Sequence, residues 1–152
     1  MNATTFKDRV AGAVLGAAIG DAMGHPTEFM SMDAIRAKHG PQGVTGFNLW
    51  WTREGKRFAP YTDDTQMSEA VILALVQSRT ERLDLDATMN AMAARFVDWA
   101  SHPQGGHRAP GNACMAGCRA LERGVPWREA GGATAGGCGE QPQQAGGATA
   151  DF

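Results

Sequence analysis

Cysteine is scarce in this chain of 152 residues: there are three, an odd number with no repeated spacing. That excludes a disulfide framework and points to a reducing, cytoplasmic setting with buried or free thiols. An excess of charge of either sign is also missing. Fourteen basic residues stand against sixteen acidic ones, a formal net charge of −2, which leaves no electrostatic footprint for nucleic acid or an anionic membrane. The densest basic group, Arg53, Lys56 and Arg57, reads as part of a solvated loop. Long apolar runs are lacking too. The best candidate, residues 10–19, follows Asp8 and ends before Asp21, short of the about 20 residues that span a bilayer and without the pattern of a secretory signal. No stretch alternates apolar and polar residues convincingly, so no β class is supported.

What is present is ordinary globular material, 43% hydrophobic and 20% charged, at a one-domain length. Glycine is abundant, with 20 residues, and unevenly spread. Residues 131–152 consist mostly of Gly, Ala, Gln and Thr, with the phrase Ala-Gly-Gly-Ala-Thr-Ala at 130–135 and again at 145–150. Such a segment cannot offset its ordering entropy by burial and reads as a low-complexity tail.

The rest of the chain reads as helices. Residues 6–23 carry small residues on one stripe, with Gly12, Gly16, Gly20 and Gly24 four apart. Each glycine costs a helix about 1 kcal/mol relative to alanine, which predicts a second backbone packed closely against the stripe. The spacing is not a dinucleotide fingerprint, and no strand precedes it. His25-Pro26 ends that helix. A short helix follows over 31–39, with Ser31 as N-cap, then a loop over 42–61 in which Trp50 and Trp51 form either a lid or a packed surface. Residues 62–77 make the strongest helix, apolar on most sides and therefore central, with Met67, Ala70, Val71, Ala74 and Leu75 on its main face. Helices over 86–100 and 112–122 and a turn over 126–130 complete an all-α reading, a compact orthogonal helical bundle.

Two constellations can carry chemistry. Thr62-Asp63-Asp64-Thr65 puts two carboxylates and two hydroxyls at the start of the central helix. Helix capping accounts for one such side chain. Adjacent carboxylates entering a bundle repel unless a cation lies between them, and hard oxygen donors suit Mg²⁺, Mn²⁺ or Ca²⁺ rather than Zn²⁺. Glu28 lies in a loop just past a helix end, where it can face a cavity. Asp21 lies in the last turn of that helix, where the dipole disfavours it, so a compensating partner is expected.

The run Arg9 to Gly24 in Arg-Val-Ala-Gly-Ala-Val-Leu-Gly-Ala-Ala-Ile-Gly-Asp-Ala-Met-Gly, followed by Pro26-Thr27-Glu28, resembles the opening of the ADP-ribosylglycohydrolase family. Tyr61-Thr-Asp-Asp-Thr-Gln-Met67 resembles that family's first metal motif. The segments at 105–112 (Gly-Gly-His-Arg-Ala-Pro-Gly-Asn) and 136–139 (Gly-Gly-Cys-Gly) resemble later segments that contact ADP-ribose. The resemblance implies an all-α fold with a dinuclear Mg²⁺ or Mn²⁺ site. It implies metal ligands at Thr62, Asp63 and Asp64, with Glu28, Asp63 and Asp64 as the catalytic group. It implies ADP-ribose contacts at His107, Asn112, Gly137, Cys138 and Gly139. The activity implied is removal of ADP-ribose from a modified protein side chain or another acceptor by metal-assisted hydrolysis of an N- or O-glycosidic bond. Metals orient and activate water while a carboxylate steadies charge developing at the anomeric carbon.

The chain also departs from the family pattern. Residues 1–139 read as the N-terminal portion of such a domain, and 140–152 as a tail unrelated to it. The family's late Asp-x-Asp-Thr/Ser motif has no counterpart after Asp64, so a truncated chain with half a metal site and little or no activity is expected. A bundle lacking cover over Val71, Ile72 and Leu73 is expected to oligomerise through its exposed apolar surface. Two alternatives of other classes stand beside the enzyme: a non-catalytic ADP-ribose-binding or structural all-α fragment, and a zinc module from His102, His107, Cys114 and Cys118. The zinc spacing matches no common structural pattern, and buried small hydrophobes is the better reading of Cys114 and Cys118.

Overall fold

A computed structural model of the chain describes residues 3–101 and 110–131. Six α-helices carry almost all of the regular structure: α1 (Ala3–Gly24), α2 (Met32–His39), α3 (Asp63–Glu81), α4 (Leu85–Ser101), α5 (Asn112–Glu122) and α6 (Trp127–Ala130). A 3₁₀ turn at His25–Thr27 follows α1 directly, where Pro26 fixes the backbone. The all-α reading holds, and the helices fall where the apolar spacing predicts them. Ser31 caps α2, its Oγ accepting from the Ala34 N–H at 3.2 Å.

One expectation needs correcting. Within the stretch read as loop, β1 (Trp51–Arg53) and β2 (Lys56–Phe58) pair antiparallel. The two connecting residues, Glu54 and Gly55, have φ of +52° and +74°, as a two-residue hairpin turn requires. Three residues per strand are too few for alternation to show in sequence.

The centre is α3 against α4, with α5 and α6 closing over α4. Small residues allow the approach: Ala74 is fully buried and Ala70 nearly so, with Cys118, Ala120 and Ala130 from α5 and α6. Polar bonds pin the helices in register. Trp99 Nε1 donates to Gln66 Oε1 at 2.8 Å, Arg95 donates to Gln77 Oε1 at 3.2 Å, and the Ser78 and Thr88 hydroxyls meet at 2.6 Å. The other side of the bundle is bare. Phe6, Val10, Val14, Leu15 and Ile19 on α1 and Leu73, Leu75 and Val76 on α3 are exposed, and no large side chain among the described residues is fully buried. Leu75 thus leaves the buried face predicted for it, while Val71 and Ile72 are half-buried. The glycine stripe also differs from expectation: a Cβ added at Gly12, Gly16, Gly20 or Gly24 would meet nothing within 4 Å. No helix among the described residues is long and apolar enough to cross a membrane.

A carboxylate ties α1 to the bundle. Asp21 Oδ1 accepts from Thr62 Oγ1 at 2.7 Å, and its Oδ2 accepts from the Thr62 N–H at 2.8 Å, the Thr65 N–H at 3.2 Å and Thr65 Oγ1 at 2.6 Å. The compensating partner expected for Asp21 is therefore the N-terminus of α3, whose dipole and free N–H groups favour an anion. Thr62 occupies the N-cap position yet makes no capping bond with its own side chain. Asp21 supplies that bond from another helix, so the simple capping reading of Thr62 is replaced.

Burial pushes the Asp21 carboxyl up, but the four bonds from Thr65 and Thr62 outweigh it and hold the group below its ordinary 3.8. A carboxylate depressed in the folded state contributes stability that is present above the unfolded value and lost as pH falls through the folded one. The α1–α3 junction should therefore hold at neutral pH and weaken only below about pH 3.8. Asp21→Ala should lower stability by about 2 kcal/mol and remove this acid-limb dependence; urea unfolding from pH 7 to pH 3 measures both.

Candidate functional site

The clamp at Asp21 has a geometric consequence, because it fixes two helix ends side by side. The last turn of α1, the following 3₁₀ turn and the first turn of α3 enclose a cavity of about 500 Å³. Its lining includes Asp21, His25, Glu28, Thr62 and Asp64, and its floor is the stripe Gly16, Gly20 and Gly24. The glycines thus leave open volume beside the acids rather than a seat for another backbone.

The cavity brings together Glu28, Thr62 and Asp64 among the residues singled out from sequence. Asp63, the first residue of α3, is half-buried and is not in the cavity lining. Its charge and that of Asp64 both help hold the Cys114 thiol protonated. Asn112 opens α5 and is exposed. His107, Gly137, Cys138 and Gly139 lie outside the described residues, as does His102 of the zinc alternative. Thr62 is only 3% exposed; its hydroxyl proton is committed to Asp21, which leaves the oxygen an acceptor toward any cation.

One residue of the cavity, His25, is given no role by sequence reasoning. His25 Nδ1 stands 3.4 Å from Glu28 Oε2, a spacing of three that the 3₁₀ turn makes adjacent. Trp50 packs on the His25 ring at 5.7 Å between centroids, and Trp51 meets Trp50 edge-on at 5.5 Å. The aromatic pair is therefore a packed wall that steadies His25. Nothing in the sequence signals this contact, because 25 residues separate the two rings.

The neighbouring acids raise the proton affinity of Asp64. Asp64 is pushed above its ordinary 3.8, first by burial and then by the charges of Asp63, Asp21 and Glu28, with His25 opposing. A hard divalent cation would offset that repulsion, and Thr62 Oγ1, Asp63 and Asp64 are the donor type it prefers. Mg²⁺ is commonly held by one or two carboxylates with waters completing the shell, so this donor set fits one side of such a site. A complete protein cage is absent: no group of three His, Cys, Asp or Glu suited to a metal occurs among the described residues.

Removing a charge should relax the crowding. Asp63→Asn is expected to lower the Asp64 pKa more than Glu28→Gln does, following the order of their influence. Carboxyl-carbon NMR titration in the presence of a chelator reads both; an unchanged Asp64 would mean the crowding is not electrostatic.

Comparison with known proteins agrees with the sequence motifs. The chain is 34% identical over 121 residues to ADP-ribosyl-[dinitrogen reductase] glycohydrolase of Rhodospirillum rubrum. That alignment covers 78% of this chain and 36% of the relative, so the chain spans just over a third of the relative's length. No solved structure matches it. The ADP-ribosylglycohydrolase family profile matches residues 2–149, running past Gly139, and the chain belongs to the ADP-ribosylglycohydrolase family.

Proposed function

We propose that this chain provides the acidic half of a site that hydrolyses the glycosidic bond between ADP-ribose and a modified protein side chain. The observation that carries the reading is the cavity in which Glu28, Thr62 and Asp64 converge on one open volume. The name of the R. rubrum relative, a glycohydrolase acting on an ADP-ribosylated protein, supports the kind of substrate.

The chemistry follows from what these groups can do. The bond from the anomeric carbon to the acceptor nitrogen or oxygen breaks, and the oxygen of water takes its place. One water proton passes by way of a carboxylate to the departing nitrogen or oxygen, and the other stays on the new anomeric hydroxyl. Breaking that bond builds positive charge at the anomeric carbon, which a nearby carboxylate stabilises. Glu28 suits this role: it lines the cavity, and His25 Nδ1 stands 3.4 Å from its Oε2. Burial and the charges of Asp63, Asp21 and Glu28 raise the proton affinity of Asp64, a direction that suits a group taking a proton from water. A bound Mg²⁺ or Mn²⁺, held by Thr62, Asp63 and Asp64, would lower the pKa of bound water and fix the ribose hydroxyls. Asn112, His107 and residues 136–139 would supply substrate contacts.

The partial donor set implies weak cation binding and slow turnover from this chain alone. Its apolar flank on α1 and α3 favours self-association, and the free thiols Cys114 and Cys118 suit a reducing, cytoplasmic setting.

The test is release of ADP-ribose from an arginine-ADP-ribosylated protein and a serine-ADP-ribosylated peptide with millimolar Mg²⁺ or Mn²⁺. Slow, cation-dependent release is expected, reduced by about 100-fold in Glu28→Gln or Asp64→Asn. ADP-ribose binding by calorimetry without any release would replace the enzyme by a non-catalytic ADP-ribose-binding protein. Release that survives both substitutions would overturn the assignment of these residues.

A further inference from the structure

A second cavity, of about 350 Å³, lies between α3, α4, α5 and α6. Its walls are apolar, with Phe96 and Trp127 among them, and no His, Asp or Glu lines it. Sulfur sets its chemistry: Met67, Met89, Met92, Cys114 and Cys118 face it, five of the chain's eleven Met and Cys residues.

Three of these sulfurs converge. Cys114 and Cys118 are one turn apart on α5 with their thiols hydrogen-bonded to each other, and both are free of disulfides. Met67 reaches across from α3, its Sδ accepting from Cys114 Sγ at 3.1 Å. A single buried cysteine is only a small hydrophobe, and a single methionine a flexible filler. Two thiols and a thioether brought to one place from two helices form a soft donor set instead. Such donors select Cu(I), whereas hard divalent ions prefer oxygen and structural zinc prefers four thiolate or imidazole ligands. The apolar wall strengthens that preference by excluding competing oxygen donors. Cys114 is only half-buried, so an ion can reach the cluster from solvent.

We propose that Cys114, Cys118 and Met67 form a soft-cation site that takes one Cu(I). Each thiol that ligates the ion releases its proton to solvent, and no electron is transferred because copper enters and stays as Cu(I). The site is independent of the hydrolase reading, since none of the three sulfurs lines the Glu28–Asp64 cavity.

Anaerobic titration of the full chain with Cu(I), with bicinchoninate as coloured competitor, tests it. One equivalent should be held against the chelator by the wild type and by Cys138→Ser. The double variant Cys114→Ser/Cys118→Ser should hold none, and Met67→Leu should bind about tenfold more weakly. X-ray absorption at the copper edge should show a sulfur-only shell in the wild type, a readout that does not depend on how the double variant folds. Absence of retained Cu(I), retention by the double variant, loss in Cys138→Ser, nitrogen or oxygen in the shell, or uptake of Zn²⁺ in preference to Cu(I) would each overturn the proposal.

Discussion

The arrangement of this protein turns on one carboxylate. Asp21 ends one helix and caps another, accepting four hydrogen bonds from Thr62 and Thr65. An acid in the last turn of α1 is disfavoured by that helix's own dipole, and the same acid at the start of α3 is favoured by the opposite pole. Local cost and tertiary gain meet in one side chain. By holding the end of α1 against the start of α3, the clamp brings Glu28 and Asp64 to one cavity.

Crowding of acids is the second consequence. Asp21, Glu28 and Asp63 stand around the two helix ends, and their charges all raise the proton affinity of Asp64. Asp21 is held ionised by its hydrogen bonds, whereas Asp64 has no such compensation in its favour. The two aspartates are thereby pushed in opposite directions, one held ionised and one made more basic, within the same small volume. Divergent proton affinities of this kind are what acid–base chemistry and cation binding both require. The oxygen-rich end of α3 and the sulfur-rich wall that begins at Met67, one turn further on, lie on one helix.

Much of this was legible in sequence. The 3.6-residue spacing of apolar side chains located α3, α4 and α5 because helices bury one face whatever their partners. The sequence put the Thr62-Asp63-Asp64 triplet at the start of α3, and the cost of Asp21 at a helix end signalled a partner without naming it. The glycine stripe was open to two readings, since a run of small residues fits a close-packed backbone and an open cavity floor equally well; among the described residues it borders the cavity. Leu75 was placed on the buried face of α3 although it is exposed. The short hairpin at β1 and β2 was invisible because three-residue strands leave no period to detect.

The sequence by itself determined the helical class, the position of the acidic motif at the start of a central helix, and the family membership, since each rests on local spacing or on residue identity in order. Only the tertiary structure decided that Asp21 caps α3, that His25 pairs with Glu28 beneath Trp50, and that Met67 meets Cys114. These contacts join residues 25 to 47 positions apart, or depend on the exact turn between neighbours. Periodicity carries no information across such separations; only the packing of whole helices fixes which side chains meet.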